Sequence, residues 1–459
     1  MTHTWRILTQ GIRNCCYGLS NRKVNNMKLL YILGAYKPNA SANGICSDNV
    51  IQALAQAGYD ITVLCNRYAD VQDFSVEPNG VKVYRIKQRL FLRLQDWVLA
   101  NKASHPMGSK MVSLIASIIN KAQLFVMSSQ WPLISPGYTR NFYKKAKQLH
   151  EKEKFDIVVG VYKPFDALLA AHKLKKDYPD LLFVPYYLDA LAGGWGPNSW
   201  SEKRTSRATQ KWEYQFNSNA DLIVSMNSSK HYHETRWTYP TESFNRKYLD
   251  VPMLLPAYKA EKTEKGKRKV ALFAGNLSYP RRNPIPLLEI FKTVCNELDM
   301  ELVFAGACNN TAIFSPYINA TGGRIKVLGQ LSHDKVTDLE GQADYLINIG
   351  SENPYTIPGK IFEYIRFNKP IISTFCIDDE PSIEYLKKYQ NAFFADERKP
   401  FEATARALIK FLTQEEMANS NIDCSTVFYT NTPRAFVDLL NEFTQQGEVH
   451  DELFSKRKG

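Results

Sequence analysis

Phosphate, sugar-hydroxyl and proton chemistry each call for particular side chains, and the stretch NIGSENPYTIPGKIFEYIRFNKPIIST, which ends at Thr374, gathers several of them. Residues up to Gly350 read as the end of a strand, a polar loop follows, and Pro358 stands where the first residue of a helix belongs. Gly359 and Lys360 then fall in the opening turn. Free backbone N–H groups, the positive end of the helix and a lysine converge there, which is a phosphate-binding arrangement. Glu363 lies one turn deeper on nearly the same face, placed to accept two vicinal ribose hydroxyls. The alternative is an ordinary surface Lys–Glu pair. A second candidate is FAGNLSYPRRNP, where a strand ends at Gly275 and Arg281 and Arg282 follow in a loop. Guanidinium forks bind phosphate oxygens in parallel, so two arginines there suit a diphosphate. Both loops leave the carboxyl ends of strands, where open α/β sheets bind ligands.

Two further positions lie in the first half of the chain. Gly44, in NASANGICSDN, offers a loop whose backbone can approach a ligand, or a plain turn. Asp189 ends the run LLFVPYYLD and precedes ALAGG, so it either orients or deprotonates a hydroxyl as a catalytic group or serves as a turn residue. His231 and His233 read as surface residues. The eight cysteines are scattered without a C-x-x-C pair and read as reduced thiols. There is no Walker loop, G-x-G-x-x-G after a strand, H-E-x-x-H, G-x-S-x-G or D-x-D, so no metal site and no resident cofactor is expected.

The elements that must position these residues follow a strand–helix rhythm. MKLLYILGAYKP predicts a strand, NASANGICSDN a polar loop, the residues from a Ser47 cap to Gly58 a helix, and ITVLC a second strand. The alternation continues through FDIVVGVY, LLFVPYYLD and ADLIVSM, interrupted by helical sequence near 90–140. PAYKAEKTEKGKRK carries six basic and two acidic residues between Lys259 and Lys269, the composition of a solvated linker. After it the rhythm restarts, from VALFAGN to KPIISTF. The expected organisation is an extension at 1–26, expected to be disordered, an α/β domain at 27–255, a second at 256–427, and a terminal helix at 428–459 packing back on the first. Composition agrees with a globular protein: 44% of residues are hydrophobic and 23% charged. The net charge of +12 favours anionic partners.

With these residues in view, the chain resembles a retaining glycosyltransferase of the GT-B fold, most similar to glycosyltransferase family four, over nearly its whole length from Met27. PGKIFEYIRFNKPII carries the resemblance most strongly; FAGNLSYPRR, ADYLINIG and NGICSDNVIQALAQAGYDITVL support it. The resemblance implies two Rossmann-like domains facing each other across a cleft, a nucleotide-sugar donor, a carbohydrate or lipid-linked acceptor, and sugar transfer without a metal; no nucleic acid is involved. It places Glu363 on the ribose, Arg281 on the diphosphate, Gly44 on the glycine loop facing the donor phosphates, and Lys360 on the family's lysine. The chain departs from the pattern at Tyr355, Asn276 and Leu188, where such enzymes often carry glutamate, arginine and histidine; Glu352 lies three residues before the missing glutamate. A scaffold without turnover and a sugar-nucleotide epimerase are the alternatives.

One more feature concerns location. From Lys82 to Lys110 there are seven basic residues against one acid, Asp96. Leu90, Leu94, Trp97 and Val98 share a helical face flanked by Arg89 and Arg93. Such a helix either packs on its own domain or lies on an anionic membrane surface, which would place the protein in the cytoplasm on the inner face of the cell membrane.

Overall fold

The computed structural model describes residues 27–455 apart from 39–40, 69–70, 103, 134, 195, 198–199, 242–243, 259–267, 278, 281, 351–358 and 414–421. Residues 1–26, most of the basic linker, Arg281, Glu352, Tyr355 and Pro358 therefore lie outside the described residues. The chain divides into two compact units: residues 1–248 with 436–459, and residues 249–435.

The first unit is built on an eight-stranded sheet of order β3-β4-β2-β1-β5-β6-β7-β8. Its strands are β1 (Lys28–Ile32), β2 (Asp60–Arg67), β3 (Phe74–Val76), β4 (Lys82–Lys87), β5 (Ile157–Tyr162), β6 (Leu182–Tyr187), β7 (Ile223–Met226) and β8 (Arg246–Leu249). β3 pairs antiparallel with β4, whereas β1, β2, β4, β5, β6 and β7 run parallel. The helices are α1 (Ala42–Gln56), α2 (Leu90–Asn101), α3 (Pro106–Val126), α4 (Pro136–Glu153), α5 (Phe165–Asp177), α6 (Glu202–Asn217) and α7 (Lys230–Thr235). Every residue of β5 is buried, because a parallel sheet covered by helices is dry on both faces. Leu30, Val158, Leu168, Phe183 and Phe216 form the centre of this core.

The second unit has a six-stranded, wholly parallel sheet of order β11-β10-β9-β12-β13-β14. Its strands are β9 (Lys269–Ala274), β10 (Met300–Ala305), β11 (Ile325–Gly329), β12 (Tyr345–Ile349), β13 (Ile371–Phe375) and β14 (Ala392–Asp396). The helices are α8 (Ile285–Glu297), α9 (Ser315–Ala320), α10 (His333–Gln342), α11 (Lys360–Ile365), α12 (Pro381–Tyr389), α13 (Phe401–Thr413) and α14 (Cys424–Val427). Phe273, Leu288, Phe291, Phe304, Ile347 and Leu408 anchor its core. A last helix, α15 (Pro433–Ser455), belongs to the first unit from Phe436 onward, with Phe436 packing on Tyr186 and Tyr59 donating to Asn441 at 2.7 Å.

Two local expectations change. α1 is capped by Ser41, whose Oγ accepts from the Gly44 N–H, and not by Ser47, which is fully buried on the inner face of the helix. Gly44 accordingly sits in the first turn of a helix and not in a loop. The basic run from Lys82 to Lys110 is also not one surface: Lys82, Arg85 and Lys87 belong to β4, and Arg85 is buried, donating to Ser75 and the Gln72 carbonyl.

Burial of one histidine is expected to make the first unit acid-sensitive. His172 on α5 is 3% exposed, with its ring edge-on to Phe216. Burial, aided by the charge of Lys176, pulls its pKa down to about 4. The unfolded chain then binds a proton that the folded chain refuses between about pH 6.5 and 4, so stability rises with pH across that window and is lost on acidification. The expected loss is on the order of 3 kcal/mol. All seven tryptophans precede residue 249, so urea unfolding followed by tryptophan fluorescence reads this unit. His172→Gln should flatten the difference between pH 7 and pH 4.5; an equal acid loss in the variant would assign the effect elsewhere.

Candidate functional site

In the second sheet the strand order reverses once, at β9, and in the first the parallel strands reverse at β1. β9 lies between β10 and β12, so the connections leaving its neighbours diverge and open a crevice at the carboxyl ends. Gly275 follows β9 directly, and its N–H donates to the Ala305 carbonyl at 2.8 Å. The neighbouring Gly306 has φ +145°, and a side chain there would put its Cβ 2.0 Å from the Gly275 oxygen. Only glycine lets these two strand ends approach so closely. α11, the helix after β12, is fastened to the same place. The Tyr364 hydroxyl accepts from the Ala274 N–H at 3.0 Å and donates to the Ala274 carbonyl at 3.3 Å. The tertiary structure thus brings Gly275 and the Lys360–Glu363 helix together. Arg282 lies in the β9–α8 connection, partly buried. Asn276, at the departure from the family pattern, accepts from the Ala307 N–H at 3.0 Å and so ties the β10 loop to the β9 loop.

α11 is only six residues long, with Gly359 as its cap. Lys360 does not project from it as an isolated charge. Its Nζ pairs with the Glu363 carboxylate and lies 2.8 Å from Oε1 of Glu340, at the end of α10. Glu340 is 1% exposed and burial pushes its carboxyl pKa up. Burial works against the charge of Lys360 too, but Glu363, Tyr364 and Glu340 outweigh it and hold the ammonium firmly protonated. The result is a fixed trio in which Lys360 orients Glu363 and neutralises Glu340. Sequence reading missed Glu340 because it lies twenty residues before Lys360, outside any helical spacing.

The first unit carries its own group of polar residues at the corresponding reversal, between β1 and β5. Gly34, Ser41, Asn43, Gly44 and Lys163 line a small pocket at these strand ends. Asn43 Nδ2 donates to Asp189 Oδ2 at 2.8 Å, so the helix bearing Gly44 holds the carboxylate beyond β6. The run after Asp189 is pinned as well. Gly193 has φ +79°, and a Cβ there would stand 2.7 Å from the Tyr232 ring. The Ala192 N–H donates to Glu213 Oε2 at 2.8 Å.

Glu213 is the centre of a buried ionic network that sequence reading did not find. Its Oε1 lies 2.9 Å from His233 Nε2 and 3.0 Å from the Arg246 guanidinium, and all three side chains are at least nine-tenths buried. Burial would raise the Glu213 pKa, but His233 and Arg246 reverse the shift and hold it below the ordinary carboxylate value. His233 is therefore a buried partner and not a surface residue; its other nitrogen faces the Tyr248 hydroxyl at 3.0 Å. His231, two residues away on α7, is exposed. A glutamate, a histidine and an arginine spread over three elements leave no local spacing to read.

Comparison with known proteins agrees with this architecture. Residues 268–414 match the family described as Glycosyl transferases group 1. No curated protein matches the chain in sequence. Among solved structures, a glycosyltransferase from Rickettsia africae is similar with TM-score 0.59 at 12% identity, over 92% of this chain and 99% of the other. HepE from Anabaena, in complex with UDP, gives TM-score 0.56 at 13% identity, over 91% and 100%. The sucrose-phosphate synthase of Thermosynechococcus elongatus gives 0.51 at 12% identity, over 94% and 99%. The fold is GT-B, with two Rossmann-like domains, and the matched domain supports a glycosyltransferase. Among the described residues no helix is long and apolar enough to cross a membrane.

Proposed function

We propose that this protein transfers a sugar, of the hexose class, from a nucleotide-sugar donor to an acceptor hydroxyl with retention of configuration and without a metal. The observation that carries the proposal is the fastening of α11, the helix that bears Lys360 and Glu363, to the end of β9 through Tyr364, within the domain matched to group 1 glycosyltransferases. In this reading Glu363 accepts the ribose hydroxyls, held in orientation by Lys360. The loop of Gly275, Arg281 and Arg282, with Gly359 and Lys360, receives the diphosphate, where charge grows as the donor breaks. The bond from the anomeric carbon to the diphosphate breaks and a bond to the acceptor oxygen forms on the same face. The acceptor proton passes to a phosphate oxygen, so no protein nucleophile is needed. Asp189, steadied by Asn43, orients the acceptor hydroxyl, and Gly44 brings backbone close to the donor phosphates. A UDP complex of the similar Anabaena protein supports a nucleotide donor. We place the acceptor among polysaccharide or glycolipid precursors, and the protein in peripheral contact with the inner face of the cell membrane.

Glu363→Ala should weaken binding of free nucleoside diphosphate by about 2–3 kcal/mol, since two hydrogen bonds to a charged acceptor are lost. Isothermal titration with UDP, GDP and ADP measures it, and the wild-type titration and turnover should be indifferent to EDTA. An unchanged dissociation constant in the folded variant would remove Glu363 from the ribose; loss of turnover in EDTA, restored by magnesium or manganese, would overturn metal independence.

A further inference from the structure

Of the sixteen large hydrophobic side chains exposed among the described residues, ten lie between Leu90 and Val126. They concentrate on α3. Met107, Met111, Leu114, Ile118 and Phe125 recur at steps of four, three, four and seven, which at about 3.6 residues per turn keeps them on one narrow stripe. All five are open to solvent, from 58% for Ile118 to 85% for Met107. The opposite face, with Ser109 and Ala116 seven residues apart, is the buried one, and the Trp97 ring of α2 lies alongside at Gly108. An amphipathic helix of a globular unit normally turns its bulky stripe inward; α3 fully buries only the small Ser109 and Ala116 and presents this bulky stripe to solvent.

The charge around the stripe selects what covers it. Lys110 and Lys121 each follow a stripe residue by three positions and are exposed, as are Arg93 and Lys102 on α2 and just beyond it. From Trp97 to His150 the chain has seven lysines and arginines and no acidic residue at all. A second copy of the same surface would oppose like charges and is disfavoured. An anionic bilayer satisfies both properties: acyl chains take the apolar stripe while the ammonium groups reach the headgroups. The helix is too polar to cross a membrane, so it would lie in the plane of the interface.

We propose that α3, with α2 as its support, is a bilayer-docking element that inserts Met107, Met111, Leu114, Ile118 and Phe125 into the interface of an anionic membrane. The element is therefore not the α2 face for which the sequence left core packing and membrane contact open, since Leu94 and Val98 are partly buried there. This deepens the peripheral-contact part of the proposed function and does not depend on the transfer chemistry.

The test is co-sedimentation of the full chain with phosphatidylcholine vesicles, with and without phosphatidylglycerol. Binding should require phosphatidylglycerol, fall with added salt, and drop roughly tenfold or more in Leu114→Asp/Ile118→Asp. Lys110→Glu/Lys121→Glu should lose the salt-dependent part. Both variants should keep wild-type tryptophan fluorescence and nucleoside-diphosphate binding, so failure of docking and failure of the donor site are read separately. Equal recovery in the supernatant with both vesicle types would overturn the proposal. So would a wild-type dimer in solution that Leu114→Asp dissociates, which would assign the stripe to a second copy.

Discussion

Lys360→Met is expected to lower turnover on the order of 10²-fold, as loss of one preorganised positive group at a developing anion commonly does. It also removes the partner of Glu340, a carboxylate only 1% exposed. Breaking a buried ion pair from one side costs about 3–5 kcal/mol, so the second unit should melt earlier. The two effects separate in the double variant Glu340→Leu/Lys360→Met. An apolar replacement of both partners is often neutral for stability, so the melting temperature should recover while turnover stays low. Circular dichroism is the suitable readout, because the second unit has no tryptophan. If turnover recovers together with the melting temperature, Lys360 holds the fold and does not reach the diphosphate.

Glu213→Ala should destabilise the first unit by about 3–5 kcal/mol, because it leaves Arg246 buried without its counter-charge and takes the facing carboxylate from His233 Nε2. The Ala192 N–H loses its acceptor in the same variant, which frees the run that follows Asp189. Urea unfolding read by tryptophan fluorescence gives the size of the loss. The Glu213 carboxylate titrates below its ordinary value, so its contribution is present above the ordinary carboxylate range and is lost as pH falls through the lowered one. The gap between wild type and variant should therefore narrow in acid. A variant as stable as wild type at pH 7 would show that the network serves only local geometry.

Local patterns were legible in the amino-acid sequence. The buried runs LLYI, IVVGVY and VALFA announce strands covered on both faces, and their alternation with helical segments announces parallel α/β units. The pair Lys360 and Glu363 was visible because neighbours on one helix face recur at three residues. Short amphipathic strands were not: β3, β4, β8 and β14 carry too few buried residues to rise above the surrounding polar sequence. The cap of α1 went to Ser41 because the N–H groups of the first turn face it, while Ser47 points into the core.

What only the tertiary structure decided is which distant segments meet. Nothing in the sequence orders the strands, yet the order β10-β9-β12 is what opens a crevice beside Gly275 and places α11 there. Tyr364 reaches Ala274 across ninety residues, Glu340 reaches Lys360 from another helix, and Glu213 collects His233 and Arg246 from two further elements. The outward stripe of α3 belongs to the same class. Its periodicity is written in the chain, but which face is covered depends on where α2 lies, and packing alone settles that. Periodicity is a property of one element; burial and charge pairing are properties of several elements folded together, and the chemistry of this protein depends on the second.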